Sequence, residues 1–359
     1  MAEWLLPGDP RWRDMLLEVE HDFYHLPCYA EVMAENDDGV PRAYYDVRSG
    51  GAILIPLLLR KIPSTDDDMP WLDAVSPYGY ASPVYHDGVT EEELKQAFAD
   101  YIEAGAKAGL VTTFIRLHPL LSKKMTSEKV AMAISGNINS ALNTSGATVS
   151  IDLTQSEGEL DQQLRSNHKR NIKSLCAAGF TTSVDNWDDY PLFRHLYSQT
   201  MQRVNATAYY QFGETYFHRL RDCLGSALHL CTVMANTGDV ACGGLFTKVG
   251  GIVQYHLGAT ADDYSNCAPS KLMFYAVRKW AKSEGARILH LGGGLGGKRD
   301  TLFEFKRGFA THVHPFHTVK IIHNDPIYRQ ITGQWMKKAM GGIQQRDDYF
   351  PIYRRSHVV

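Results

Sequence analysis

The residues of this chain whose types and spacing could do chemistry gather in its second half. A glycine run, Gly292-Gly293-Gly294-Leu295-Gly296-Gly297, follows a strand pattern at Arg287–Leu291. Just beyond it a lysine stands among aromatic residues, Phe303-Glu304-Phe305-Lys306-Arg307-Gly308-Phe309. Upstream, a helix pattern over Ser270–Glu284 opens where a strand and loop end. Its unpaired backbone N–H groups and its dipole make a natural anion site, with Ser270 and Lys271 at the mouth. Arg165, Lys169 and Lys173 recur every four residues with Arg170 beside them, a basic stripe that could grip a phosphate backbone. A solvated helix face is the commoner origin of such charges. Tyr255 and His256 are neighbours in a strand, where side chains alternate faces, so only one of them can point into a given cleft. A histidine there could accept a proton from an amine, or be a satisfied structural histidine. Together these residues point to an anionic substrate.

Other functions are excluded by what is missing. The glycine run contains a literal GxGxxG after a strand, but Lys298–Phe309 is not a convincing crossover helix. No acidic residue stands about twenty positions further on, so dinucleotide binding is not expected. Glycines that let a backbone approach a substrate are the better reading. The fifteen histidines show no HExxH or similar spacing, and no metal is expected. A formal net charge of −3, with 44% hydrophobic and 21% charged residues, gives no global push toward DNA or a membrane surface. No run of about 18 apolar residues exists, so no integral membrane contact is expected. The start, MAEWLLPGDPRW, lacks the basic and apolar regions of a signal peptide. Cys28, Cys176, Cys223, Cys231, Cys242 and Cys267 are scattered without a CxxC pair, which favours reduced thiols and a cytoplasmic location.

These residues must be positioned by an α/β (α+β) framework. Residues 11 to 35 carry a helix-like pattern broken at Pro27. Arg42–Val47 and Ala52–Leu59 flank Gly50-Gly51 as a hairpin, and Ser64–Pro70 reads as an acidic surface loop. The tyrosine-rich turn SPYGYASP (Ser76–Pro83) follows. Thr90 with Glu93 forms a capping box for a helix to about Ala108, and Thr112–Leu117 is a strand. Thr148–Leu153 is the next strand, and a second capping box at Ser156 and Glu159 starts a helix running to Ala178. Helices over Pro191–Val204 and Glu214–Leu224 precede a meander of Leu228–Met234, Val240–Val249 and Ile252–Leu257. Phe316–His323 is a late strand before a basic-aromatic tail. The order hairpin or meander, loop, helix, glycine, strand occurs twice, about 175 residues apart, which suggests two similar α/β domains. At 359 residues two domains are also the sensible prior.

A meander running into a helix and then a strand is the core plan of the GNAT acyltransferase fold. The ordered set of stretches resembles more particularly the Fem family of peptidoglycan-bridge aminoacyltransferases and its GNAT-like relatives. The stretches are DFYHLPCY (Asp22–Tyr29), SPYGYASP, TVSIDL (Thr148–Leu153) and the basic RSNHKRNIKSLCAAGF (Arg165–Phe180). They continue with YHLGATADDYSNCAPSKLMFYAVRKWAKSEGARILHLGGG (Tyr255–Gly294) and LFEFKRGF (Leu302–Phe309). The second half matches best.

The resemblance implies two GNAT-like domains, each a mixed, mostly antiparallel sheet flanked by helices. No long heptad pair is present, so no coiled-coil arm is expected. The first domain would span 1–150, completed by 318–359, on the acceptor side; the second would span 151–317 on the donor side. The implied reaction passes an aminoacyl group from aminoacyl-tRNA to an amine of a peptide or cell-wall-precursor-like acceptor, in a monomer with no tightly bound cofactor. Phe305-Lys306 matches the family's Phe-Lys pair at the donor ester. Lys306 would stabilise the tetrahedral oxyanion, and Phe305 would stack on the terminal adenosine. The bland reading is a surface lysine beside core phenylalanines. Arg203 matches an arginine that binds acceptor phosphates, against a helix C-terminal cation favoured by the dipole. Tyr210, Tyr255, His256, Tyr78 and Tyr80 would contact substrate, or else pack the core and a turn. Arg165, Lys169, Arg170, Lys173, Ser270 and Lys271 would hold the donor. An acyl-CoA donor is the alternative, although Asp263–Lys271 lacks the glycine-rich Q/RxxGxG/A entry to the pyrophosphate helix. A second alternative is a non-catalytic protein that binds tRNA or precursor.

Overall fold

The structure is a computed structural model and describes residues 2–62, 71–121, 127–134, 139–338 and 349–355. The acidic loop expected at Ser64–Pro70 lies outside the described residues. In chain order the elements begin with β1 (Ala2–Leu5), α1 (Pro10–Glu18), α2 (Pro27–Asn36), β2 (Gly39–Arg48), β3 (Gly51–Lys61), β4 (Leu72–Val75) and β5 (Val84–Tyr85). They continue through α3 (Glu91–Lys107), β6 (Leu110–Arg116), α4 (Ser127–Ile134), β7 (Ser140–Asp152), α5 (Glu157–Gln163), α6 (Ser166–Ala177), β8 (Thr181–Val184), α7 (Tyr190–Arg203) and α8 (Glu214–Leu224). Then come β9 (Leu228–Met234), β10 (Val240–Val249), β11 (Ile252–Thr260), α9 (Ser270–Ser283), β12 (Ile288–Gly293), α10 (Thr301–Lys306), β13 (His312–Ile322) and α11 (Asp325–Lys338). The chain divides into two units, Met1–Thr144 with Phe316–Val359, and Ser145–Pro315.

In the first unit the strands run β1-β2-β3-β4-β6-β13, with only β4 and β6 parallel. Pro56 lies opposite Ala43 of β2, and on the other edge of β3 it falls in the gap between β5, which pairs with Ile53 and Leu54, and β4, which pairs with Leu58–Lys61. Helix α3 starts because Thr90 and Glu93 cap each other's backbone, at 3.2 and 2.9 Å. Its buried residues Leu94, Ala97, Phe98, Tyr101 and Gly105 recur at threes and fours, one stripe on the sheet.

In the second unit the strands run β7-β12-β11-β10-β9-β8, with only β11 and β12 parallel. Val149, Ile151, Val253, Leu289 and Leu291 form one face of that sheet, against Met273, Phe274 and Val277 of α9 and Ile172 and Leu175 of α6. The two units therefore repeat one plan: a strand, two helices, a three-stranded meander, a helix, a strand parallel to the last of the meander, and a closing strand. The longest helix among the described residues is α3, at 17 residues.

Several expected elements need correction. The helix expected over Ser156–Ala178 is two helices. Leu164 turns extended (ψ 128°) so that the Arg165 N–H can pair with the Gly308 carbonyl, at 2.9 Å, and this tertiary bond outweighs helical continuity. Pro27 does not break a helix; it opens α2, where its fixed φ and missing N–H suit the first turn. The segment after the glycine run does contain a helix, α10, started by the Asp300 carboxylate on the Phe303 N–H (2.9 Å). Cys176, Cys231, Cys242 and Cys267 are free thiols, whereas Cys28 and Cys223 are not free. The expectation of six reduced thiols therefore does not hold, because spacing along the chain does not decide pairing.

Candidate functional site

The second unit opens its sheet at one place. The parallel pairing of β11 with β12 covers only Ile252–Gln254 against Ile288–His290. Beyond Gln254, β11 stays with β10, while β12 stays with β7 as far as Gly293. At that point the β10–β11 register slips: Phe246 faces Tyr255, Leu245 faces Leu257, and His256 is the extra residue. Strand alternation sends the two neighbours to opposite faces, and the register decides which goes where. The Tyr255 ring packs on Phe274 of α9, with centroids 4.8 Å apart, and the Lys306 ammonium lies 5.5 Å from its centre. His256 turns to α8 instead, its Nε2 2.8 Å from the Tyr216 hydroxyl. The face left open by the sequence is thus assigned: Tyr255 shares the α9 side with Lys306, and His256 does not.

Lys306 is buried, at 6% exposure. Its Nζ donates to the Gly293 carbonyl at 2.6 Å, and among the described residues no carboxylate forms an ion pair with it. Burial lowers its pKa from an ordinary 10.5 to about 8, against an opposing pull from Asp300. The lysine is held by the junction of α6 and α10. The His168 imidazole donates through Nε2 to the Phe305 carbonyl (3.0 Å) and rests edge-on against Phe309 (4.6 Å). A side chain at Gly308 would start 2.3 Å from that imidazole. Phe305 is half-buried, packed against Phe274, Phe309 and His168. The glycine run serves the same construction. A Cβ on Gly146 of β7 would stand 2.0 Å from the Gly297 carbonyl oxygen, so the backbone approach found here is chain against chain.

At the mouth of α9, Pro269 is the cap residue, no side chain caps the N–H groups, and the first turn carries no acidic residue. Lys271 is buried behind Ser270 at 8% exposure, its Nζ donating to the Asn171 amide oxygen of α6 at 2.9 Å. Burial lowers its pKa, and no carboxylate pairs with it among the described residues. The corresponding helix of the first unit, α3, is the opposite: Glu91, Glu92 and Glu93 fill its first turn and its capping box is closed. The negative first turn of α3 opposes an anion, and the first turn of α9 carries no such charge.

The structure brings Lys306, Phe305 and Tyr255 together around Phe274, and ties Lys271 of α9 to α6 through Asn171. Lys169, Arg170 and Lys173 are exposed on α6. Arg165 precedes that helix and pairs with Glu304 at 3.0 Å, so the stripe is shorter than its spacing suggested. Arg203, at the end of α7, is taken up by the Thr260 carbonyl (3.1 Å) and the Asp262 carboxylate. A phosphate there has to compete with Asp262. Tyr210 is half-buried, its carbonyl accepting from Tyr197 at 2.9 Å. In the first unit, Tyr78 and Tyr80 are half-buried; Tyr80 lies edge-on to Tyr24 (5.6 Å), and the Tyr78 carbonyl accepts from Tyr29 (3.0 Å). Sequence reading missed His168, Asn171 and Tyr216. The signals were present: His168 continues the apolar row Leu160, Leu164, Ile172, and Tyr216 lies on the row that buries Leu220 and Leu224. A polar group in an apolar row needs a partner.

Residues 162–307 match the profile of the acetyltransferase (GNAT) domain. Together with the twice-repeated fold, this defines the class: the chain is a GNAT-fold acyltransferase built from two GNAT-like domains. Within that class its architecture is FemX-like. The crystal structure of FemX superposes with a TM-score of 0.70 at 15% identity, covering 92% of this chain and 99% of that one. L-PGS from Bacillus licheniformis superposes at 0.56 with 12% identity, covering 91% and 96%. A tandem GNAT protein from the clavulanic acid biosynthesis pathway superposes at 0.50 with 12% identity, covering 90% and 99%. No curated protein matches by sequence.

Proposed function

We propose that this acyltransferase forms an amide from an activated ester, most specifically an aminoacyl-tRNA ester, with an amine of a peptide or cell-wall-precursor-like acceptor. The observation that carries the reading is Lys306: a buried ammonium without a carboxylate ion-pair partner among the described residues, beside the place where β11 and β12 part. Aminolysis passes through a tetrahedral oxyanion, and a cation already desolvated there stabilises it with little reorganisation. The amine nitrogen bonds to the acyl carbon, the ester C–O bond breaks, and the leaving oxygen takes up a proton. Positioning supplies much of the remainder. The α9 mouth with Lys271, and the exposed Lys169, Arg170 and Lys173, would hold the donor's phosphates. The α3 mouth, filled with glutamates, supports a reading in which the second unit is the donor side. The FemX-like architecture supports an acceptor in the cell-wall-precursor class, acted on by a monomer in the cytoplasm without a tightly bound cofactor.

One observation favours a second reading. The matching domain profile is that of acetyltransferases, which points to an acyl-CoA donor and a small-molecule, sugar or lipid amine. The two readings separate by mass spectrometry of products formed from pooled charged tRNA and candidate amines, with acetyl-CoA in a parallel reaction. Amide product from charged tRNA, lost in Lys306→Met, is the expected result. Product from acetyl-CoA alone overturns the first reading in favour of the second. Tight tRNA binding with no product from either donor makes the chain a binding protein.

A further inference from the structure

We propose that Asn171 of α6 is a positioning residue that holds Lys271 at the mouth of α9 as an unneutralised cation for a phosphate of the donor. The proposal rests on the amide-forming reading above, in which the α9 mouth takes the donor's phosphates, and it names what keeps that charge available.

Helix α9 presents two buried cations to the helices beside it, and they are partnered differently. Arg278 is 1% exposed, and its guanidinium donates to two carboxylates of α5, Glu157 at 3.0 Å and Asp161 at 2.6 Å. Lys271, two turns earlier and 8% exposed, donates to the Asn171 amide oxygen at 2.9 Å instead. Neither α6 nor α9 contains an Asp or Glu, and Lys169, Arg170 and Lys173 stand beside Asn171 on α6. A buried cation bound by carboxylates is neutralised within the fold. One bound by an amide is fixed in place by the hydrogen bond but keeps its charge, which costs stability unless a ligand supplies the anion.

The surroundings say which phosphate this is. His168, one turn before Asn171 on α6, binds the Phe305 carbonyl through Nε2 at 3.0 Å. Burial lowers the His168 pKa, and the charges of Lys271 and Arg165 lower it further. Lys271 therefore lies close to the segment that carries Phe305 and Lys306, and the phosphate it takes is one close to the reacting ester.

The test separates charge from position. Asn171→Asp accepts the same hydrogen bond but neutralises Lys271; Asn171→Leu leaves the charge and removes the hold. With charged tRNA and an accepted amine, Asn171→Asp is expected to raise donor KM about 10-fold with kcat unchanged, and Asn171→Leu to raise it about 3-fold. Binding of deacylated tRNA, followed by fluorescence anisotropy across a salt series, gives a readout that packing alone does not move. The slope of log Kd against log salt should fall by about 0.7 in Asn171→Asp, one phosphate contact, and stay as in the wild type in Asn171→Leu. Donor KM and salt slope unchanged in Asn171→Asp, or equal losses in the two variants, overturn the proposal. A rise confined to the KM for acetyl-CoA overturns a tRNA phosphate as the ligand. If Lys306→Met abolishes turnover while Asn171→Asp leaves donor KM and salt slope unchanged, the amide-forming reading stands and the role of Asn171 falls. A reduced salt slope in Asn171→Asp with no turnover from charged tRNA supports the phosphate contact and overturns the reading.

Discussion

Replacing Lys306 with methionine should make the protein more stable and less active, and both magnitudes follow from the site. The lysine is 6% exposed, and its pKa falls from 10.5 to about 8. That gap means the folded state disfavours the charged form by about 3 kcal/mol. Methionine keeps the length and apolar stem of the side chain and removes the charge. It also removes the hydrogen bond to the Gly293 carbonyl, a loss of about 1–2 kcal/mol against the gain, so a net stabilisation of about 1–2 kcal/mol is expected at pH 7. The pH dependence has a definite sign. Below about pH 8 the lysine is protonated in both folded and unfolded chains, and the burial penalty is fully present. Between about pH 8 and 10.5 the folded chain has released the proton and the unfolded chain has not, so the wild type gains stability as pH rises. The advantage of Lys306→Met should therefore shrink across that interval. Urea denaturation at pH 7 and pH 10 measures it, alongside kcat, which should fall by roughly 100- to 1,000-fold if the ammonium holds the oxyanion. A variant less stable than wild type at pH 7, or a stability difference that ignores pH, refutes the account of an uncompensated buried charge.

Other expectations follow from single contacts. Gly146→Ala places a Cβ 2.0 Å from the Gly297 carbonyl oxygen, and thermal denaturation should show a loss of about 1–3 kcal/mol. Asp22→Ala deprives buried His118 of the carboxylate 2.9 Å from its Nε2, and should destabilise the first unit by about 3 kcal/mol; a loss below measurement would show that His118 finds another partner. Asp262→Asn removes the carboxylate that engages Arg203. If Arg203 binds an acceptor phosphate, acceptor KM should fall, and an unchanged KM removes Arg203 from the site. Lys271→Met should raise donor KM with little change in kcat, since a phosphate contact binds ground and transition states alike.

The secondary structure was legible where local signals dominate. Thr90 with Glu93 and the row from Leu94 to Tyr101 specify α3 without reference to the rest of the chain. The repeated order of meander, helix and strand likewise required no coordinates, because short-range patterning decides it. Local signals failed where a distant bond overrode them, as at Leu164 and Arg165, where the Gly308 carbonyl interrupts an otherwise continuous helix. They also failed at Pro27, which opens a helix, and at Thr301–Lys306, where the Asp300 carboxylate starts a short one.

The residue types at the candidate site were visible in the sequence: Phe305-Lys306 after a glycine run, Ser270-Lys271 at a helix mouth, Tyr255-His256 in a strand. Their states were not. Whether Lys306 is a solvated surface cation or a buried one depends on Gly293 and Tyr255, which reach it from two other segments of the chain, and on His168 and Phe274, which hold its neighbour Phe305. Which of Tyr255 and His256 faces the lysine depends on one bulge in the register with β10, and a single slipped residue reverses the answer. Spacing carries residue identity and local periodicity. Burial, partner and pKa belong to contacts between segments far apart in sequence, and only the tertiary structure decides those.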